Sequence, residues 1–249
     1  MIELRHAAAG YGKQQVLKDI SVCFEKSCLT SILGVNGCGK STLLKTVLGM
    51  IPLHSGEIAI DGQNLQEMSR KAIARKIAYL SQGRNTPDMT VAQMVLHGRF
   101  PHLDYPRRYR KQDYEIAFSA MEQVGIADLA QNPLSALSGG MRQNAYIAMA
   151  LAQDTEYILL DEPTTYLDIA HQLELMKTLR KLADEGKGIV TVTHDIQMAF
   201  TFSDRIILLK DGSIFDVGTP EAVFKRKRVD QIMGVSLDRS DTGYSYRYR

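Results

Sequence analysis

The chain has 249 residues, with 30 basic and 28 acidic side chains and a net charge of +2. Hydrophobic residues make up 45% and charged residues 23%, which excludes intrinsic disorder and gives no support to a globally basic nucleic-acid binder. No run approaches the ~18 consecutive apolar residues of a membrane span, the start MIELRHAAAGYG lacks the apolar core of a signal peptide, and Cys23, Cys28 and Cys38 fit a reducing compartment better than a disulfide framework or zinc site.

In chain order, residues 2–33 alternate short apolar runs with polar breaks and read as strands, the last being Leu29 to Leu33. A helical pattern, LLKTVLGM, follows, with Pro52 and Gly56 expected to close it. EIAI with Asp61-Gly62 reads as a strand and tight turn, residues 69–76 as a helix, and IAYLSQ as a strand. From about Gly83 to Ala152 helical spacing takes over. Ala117, Ala120, Met121 and Val124 share one helix face, with Gly125 as its C-terminal stop. Strand YILL (157–160), a helix at about 168–183 with Leu175, Leu179 and Leu182 on one face, strand 189–193, another helix and strand 206–209 complete the pattern, and Lys210-Asp211-Gly212 forms a hairpin turn. Strands alternating with helices predict a mostly parallel sheet covered on both faces. KRKR at 225–228 and the final YSYRYR read as a solvated basic helix face and a loose terminus.

Three stretches carry chemistry. Gly34-Val35-Asn36-Gly37-Cys38-Gly39-Lys40-Ser41 matches G-x-x-x-x-G-K-[ST] between a predicted strand and a predicted helix. Glycines let successive N–H groups curl toward one anion, the helix N-terminus adds partial positive charge, Lys40 supplies a mobile cation, and the Ser41 hydroxyl is suited to magnesium. Next, YILLDEPT sets Asp161 and Glu162 at the end of a buried strand, where ligands bind in open α/β sheets. The expectation is that Asp161 holds magnesium through water, and that Glu162, already leaving the strand, acts as general base toward an attacking water. Finally, Ser138-Gly139-Gly140 opens a helix: Ser138 is a good N-cap, whereas two glycines cost about 1 kcal/mol each relative to Ala and are explained by bare amides forming a second anion site.

These pieces, in this order over residues 2–225, resemble the nucleotide-binding subunit of ABC transporters. The resemblance implies an α/β P-loop NTPase (RecA-like) fold: a mostly parallel sheet, an N-terminal antiparallel β subdomain and an inserted helical subdomain. It divides the chain into a catalytic core (1–82 and 153–225), a helical subdomain (83–152) and a C-terminal tail (226–249). It implies ATP and Mg2+ as cofactors. Tyr11 looks like the aromatic that stacks on adenine, beside Val16. Asn36, Gly37, Cys38, Gly39, Lys40, Ser41 and Thr42 fall in the Walker A motif, Asp161 and Glu162 in Walker B, and Thr165-Tyr166-Leu167-Asp168 in the D-loop. Gln82 matches the Q-loop glutamine, implied to touch magnesium and the attacking water, and His194 the switch histidine, implied to contact the γ-phosphate. LSGGMRQ matches the signature motif, with Met141 where Gln is most frequent and Asn144 where Arg is common.

The implied assembly is a homodimer in which the phosphate loop of one chain and the Ser138 helix start of the other close over each ATP. Segment 82–105, with Phe100, His102, Leu103 and Tyr105, is implied to receive a cytoplasmic helix of a membrane permease. His171, just after the D-loop, is expected near the dimer interface. VLHGRFPHLDYPR and DEPTTYLDIAHQLELM are similar to importers of iron-siderophores, haem and cobalamin, implying a place on the cytoplasmic face of the membrane and an extracytoplasmic substrate-binding protein as indirect partner. Two rival readings stay open: a soluble ABC ATPase of the cluster-assembly type and an ABC exporter subunit. His97 and His102 read as polar surface residues. Cys38, at a helix N-terminus, is expected to be a reactive thiol of lowered pKa.

Overall fold

The computed structural model describes residues 1–82, 86–165, 167–240 and 243–248, with Tyr248 described by its backbone alone. Gly83, at the edge of the helical stretch, Tyr166 of the D-loop and the terminal Arg249 lie outside the described residues.

A long hairpin of β1 (Ile2–Tyr11) and β2 (Gln14–Phe24) opens the chain, followed by β3 (Cys28–Leu33) and α1 (Lys40–Val47). β4 (Leu53–Ile60) pairs with the other edge of β1, and β5 (Gln63–Asn64) completes an antiparallel sheet in the order β2-β1-β4-β5. Gly56 does not close α1, which ends at Leu48; it sits in β4 beside a register shift, where a Cβ would stand 2.2 Å from the His6 carbonyl oxygen. It is a bulge glycine, required by close backbone approach. α2 (Arg70–Lys76), N-capped by Ser69, leads into β6 (Ile77–Leu80).

The helical stretch comprises α3 (Val91–Leu96), a 3-10 turn (His97–His102), α4 (Lys111–Gln123) and α5 (Gly139–Ala152). Thr90 and Gln93 form a reciprocal capping box on α3. Ala117, Ala120 and Met121 of α4 pack with Ala145, Tyr146 and Ala148 of α5, as helical periodicity predicts. Asn144 donates to the Val124 carbonyl at 3.2 Å, tying α5 to the end of α4. The 3-10 turn is pinned on two sides. Arg99 and His102 reach the Ala152 and Gln153 carbonyl oxygens, and Arg75 donates to that of Pro101. His102 is therefore a strut and not a free surface residue.

Arg99 also forms a buried pair with Asp113, Nε to Oδ1 at 2.9 Å. Burial pushes the Asp113 carboxyl up, but the Arg110 N–H and the Arg99 guanidinium outweigh it, and its pKa ends below the ordinary value of 3.8. A depressed carboxyl lends stability above its unfolded pKa and loses it as pH falls through the folded one. Arg99→Ala leaves that carboxylate buried without its cation, so urea denaturation at pH 7 should show a loss of about 3–5 kcal/mol. The deficit should shrink below about pH 4, where Asp113 protonates.

β7 (Tyr157–Asp161), α6 (Ile169–Asp184), β8 (Gly188–Val192), α7 (Ile196–Phe202), β9 (Arg205–Lys210) and β10 (Ser213–Gly218) follow. The central sheet has the order β10-β9-β3-β8-β7-β6 and is parallel except for β10. Alternation sorts its side chains. Tyr157 and Leu159 face α1 and the antiparallel sheet, whereas Ile158 and Leu160 face α5 and α6. Burying both faces explains why these strands read as continuous apolar runs.

The described residues of the C-terminal segment form regular structure, contrary to the loose terminus read from its composition. α8 (Pro220–Lys225), α9 (Arg228–Met233) and the hairpin of β11 (Val235–Ser240) with β12 (Gly243–Tyr248) cover α7 and β9. Tyr244 stacks edge-on against Phe200 and Phe224, at 5.1 and 5.6 Å between centroids. The basic run finds partners too: Lys225 pairs with Glu221 and Arg226 with Asp216.

Candidate active site

Parallel pairing sets the carboxyl ends of β3, β7 and β8 side by side, Ile32 and Asp161 both lying opposite Val192. The glycine-rich loop leaves β3, Asp161-Glu162 ends β7, and Thr193-His194 ends β8. This edge is where open α/β sheets bind ligands. A cleft of about 520 Å³ there is lined by Val16, Asn36, Gly37, Gly39, Lys40, Ser41 and Thr42, together with Gln82, Glu162 and His194.

No side chain caps α1 at its N-terminal Gly39, which has φ 108°, so the first-turn amides stay available to an anion. Lys40 is buried and donates to the Gly34 and Val35 carbonyl oxygens at 2.8 and 3.1 Å, folded back along the loop it would use to hold a phosphate. Ser41 Oγ donates to Asp161 Oδ1 at 2.9 Å, and Tyr79 OH to Oδ2 at 3.3 Å. Asp161 is buried, which pushes its carboxyl up; the two hydroxyls pull it down, and nearby Glu162 pushes it up again. Net, it stands above the ordinary carboxylate value, so a nearby cation favours its ionised form.

Glu162 has φ 50°, a left-handed conformation that turns it out of the strand while its N–H still donates to the Val192 carbonyl. Its carboxylate is held on both oxygens. Gln82 Nε2 donates to Oε2 at 2.6 Å, Thr165 Oγ1 donates to Oε2 at 3.3 Å, and His194 Nε2 lies 2.8 Å from Oε1. Gln82, Glu162 and His194 are thus one hydrogen-bonded set at the cleft wall. Tyr79 escaped the sequence reading, which placed Thr165 in the D-loop but not on the Glu162 carboxylate. Thr165 sits three residues after Glu162 and was available from spacing, whereas Tyr79 needed the β6-β7 pairing.

Other expected residues fall elsewhere. Tyr11 is 53% exposed, at the end of β1, and does not line the cleft, although Val16 of the same hairpin does. Ser138 caps α5 by accepting from Met141 N–H at 3.3 Å. Ser138, Gly139 and Gly140 do not line the cleft either; Gly139 borders a second cavity of about 380 Å³ that shares Gln82 and Glu162.

Cys38 corrects the expectation of a reactive thiol. It is 4% exposed, with its sulfur turned toward Gly34, and burial pushes its pKa up further than Lys40 and nearby backbone N–H groups pull it down. Burial overrides the helix terminus. Labelling by a maleimide at pH 7.5 should be at least about tenfold slower in folded protein than in urea, measured by mass spectrometry of the Cys38 peptide.

The fold and the cradle define a P-loop nucleotide-binding protein. Residues 17–165 match the ABC transporter family. The chain is 41% identical to the iron(3+)-hydroxamate import ATP-binding protein FhuC of Bacillus subtilis, over 92% of this chain and 86% of that one. It is 40% identical to the ferric enterobactin transport ATP-binding protein FepC of Escherichia coli, over 91% and 84%. Among solved structures, a dimeric bacterial ABC transporter cassette superposes with a TM-score of 0.76 at 29% identity, over 88% and 99%. The chain belongs to the ABC transporter family, as one of its ATPase subunits.

Proposed function

We propose that the chain binds and hydrolyses ATP to energise an ABC importer of an iron-siderophore or related metal chelate. The observation that carries the reading is the convergence of Lys40, Ser41 and Asp161 with the Gln82–Glu162–His194 set on one sheet edge. The chelate class is supported by the siderophore relatives.

The loop amides and Lys40 grip the phosphates. Ser41, Asp161 and Gln82 offer hard oxygen donors that fit Mg2+, too few for an all-protein cage, so phosphate and water oxygens would complete the shell. Bound there, the ion supplies charge neutralisation to the phosphate oxygens. Glu162 accepts the proton of the attacking water; Gln82 orients that water, and His194 turns from Glu162 toward the γ-phosphate. Val16 and Tyr11 supply the adenine side of the site.

The second half of each site comes from a twin chain, whose Ser138, Gly139 and Gly140 amides close over the γ-phosphate. That Ser138, Gly139 and Gly140 do not line the cleft of their own chain, and the dimeric cassette relative, support this. The division into core (1–82 and 153–225) and helical subdomain (83–152) follows the same reading.

No helix among the described residues is long and apolar enough to cross a membrane; the importer relatives support a membrane-spanning permease as partner. We place the permease contact on segment 82–105, where Phe100 and Tyr105 are 47% and 97% exposed. The chain then works on the cytoplasmic face, reached indirectly by an extracytoplasmic binding protein. The test is ATPase activity of the chain reconstituted with the permease encoded beside it. Stimulation by ferric-siderophore-loaded binding protein, and not by apo-binding protein, is expected. Full ATPase coupling without any permease, or stimulation by a substrate on the cytoplasmic side, would instead select the cluster-assembly or exporter reading.

A further inference from the structure

Gly140 lies in α5 without a positive φ, so its backbone does not require glycine, and glycine there costs about 1 kcal/mol relative to alanine. Its neighbour supplies the reason. A Cβ on Gly140 would stand 2.3 Å from His171 Cδ2, 2.7 Å from Nε2 and 2.8 Å from Cγ. The imidazole edge rests directly on the bare Cα. The ring is fixed from behind: Nδ1 lies 2.8 Å from both carboxylate oxygens of Asp168, and Asp168 Oδ1 also accepts the His171 N–H as the N-cap of α6. That contact puts the proton on Nδ1 and holds the ring edge toward α5.

Between Asp168 and Glu162, the described residues Thr164, Thr165 and Leu167 are each held by a hydrogen bond. Thr165 donates to the Glu162 carboxylate, and Gln172 Nε2 donates to the Thr164 and Leu167 carbonyl oxygens. We infer that His171 is a positioning residue that locks the start of α5 to the segment carrying the base of the same chain. The inference rests on the composite-site reading. Under that reading Glu162 serves the chain's own nucleotide and the Ser138 start serves its twin's, so the His171 contact ties the two sites of the dimer together. Gly140 is glycine to admit the ring as well as to bare its amide.

The test uses His171→Ala, made in the otherwise native chain and in Glu162→Gln, which is expected to accumulate the ATP-bound dimer. Misplacement by about 1 Å can cost on the order of 100-fold, so the ATP concentration for half-maximal dimerisation should rise at least about tenfold. The kcat of the native-base protein should fall by a similar factor, with unchanged binding of a fluorescent ATP analogue to the monomer and an unchanged Tm. Gly140→Ala, which forces a Cβ into the ring, should block dimerisation, and adding His171→Ala should restore it to the level of His171→Ala alone. Dimerisation and kcat unchanged by His171→Ala, or a Gly140→Ala defect indifferent to residue 171, would overturn the inference. Failure of Glu162→Gln itself to dimerise with ATP would instead bring down the composite site.

Discussion

Glu162→Gln should leave ATP binding intact, lower turnover by roughly 10²–10⁴-fold, the usual contribution of a general base, and accumulate an ATP-bound dimer. The amide has the carboxylate's shape, and residue 162 keeps its left-handed turn at φ 50° whichever side chain it carries. Its oxygen can still accept from Gln82, and its NH2 can face His194 Nε2, so the cleft wall keeps its form while the proton acceptor is gone. Phosphate release measures the first effect and light scattering under saturating ATP-magnesium the second. Residual turnover above a tenth of the native rate would reassign the base, and a monomer under those conditions would count against two-chain closure.

Lys40→Ala should weaken ATP binding by at least about 100-fold. Charge-assisted hydrogen bonds contribute about 1.5–3 kcal/mol each, and Lys40 is placed to transfer two of them from the Gly34 and Val35 carbonyl oxygens to phosphate oxygens. The loop amides remain, so the loss should be large but finite, readable by titration calorimetry. Ser138→Arg provides the contrast. Hydrolysis should disappear while the monomer binds ATP nearly as before, since residue 138 does not line the cleft of its own chain. Equal loss of binding in both variants would place Ser138 and Lys40 in one intrachain site.

The lesson of the buried thiol and of Gly140 is the same. In each case a local rule, the helix terminus for Cys38 and the bare amide for Gly140, was sound as far as it went, and a residue distant in sequence changed its outcome. Cys38 is buried in the apolar cluster that includes Leu17 and Leu209, and Gly140 is covered by His171, 31 positions later.

What the sequence determined by itself was everything set by neighbours along the chain. The phosphate loop, the strand-end carboxylates Asp161 and Glu162, the Ser138 cap and the alternation of strands with helices are contiguous patterns, and contiguous patterns fix backbone geometry through hydrogen bonds a few residues long. The tertiary structure alone decided which ends meet: Tyr79 on Asp161, Gln82 and His194 on the two oxygens of Glu162, the bulge at Gly56, and the docking of Tyr244 that orders the C-terminal hairpin. Those contacts span from 32 to 82 residues along the chain. They depend on strand order and burial, and two segments remote along the chain carry no local mark of which sheet edge will bring them together.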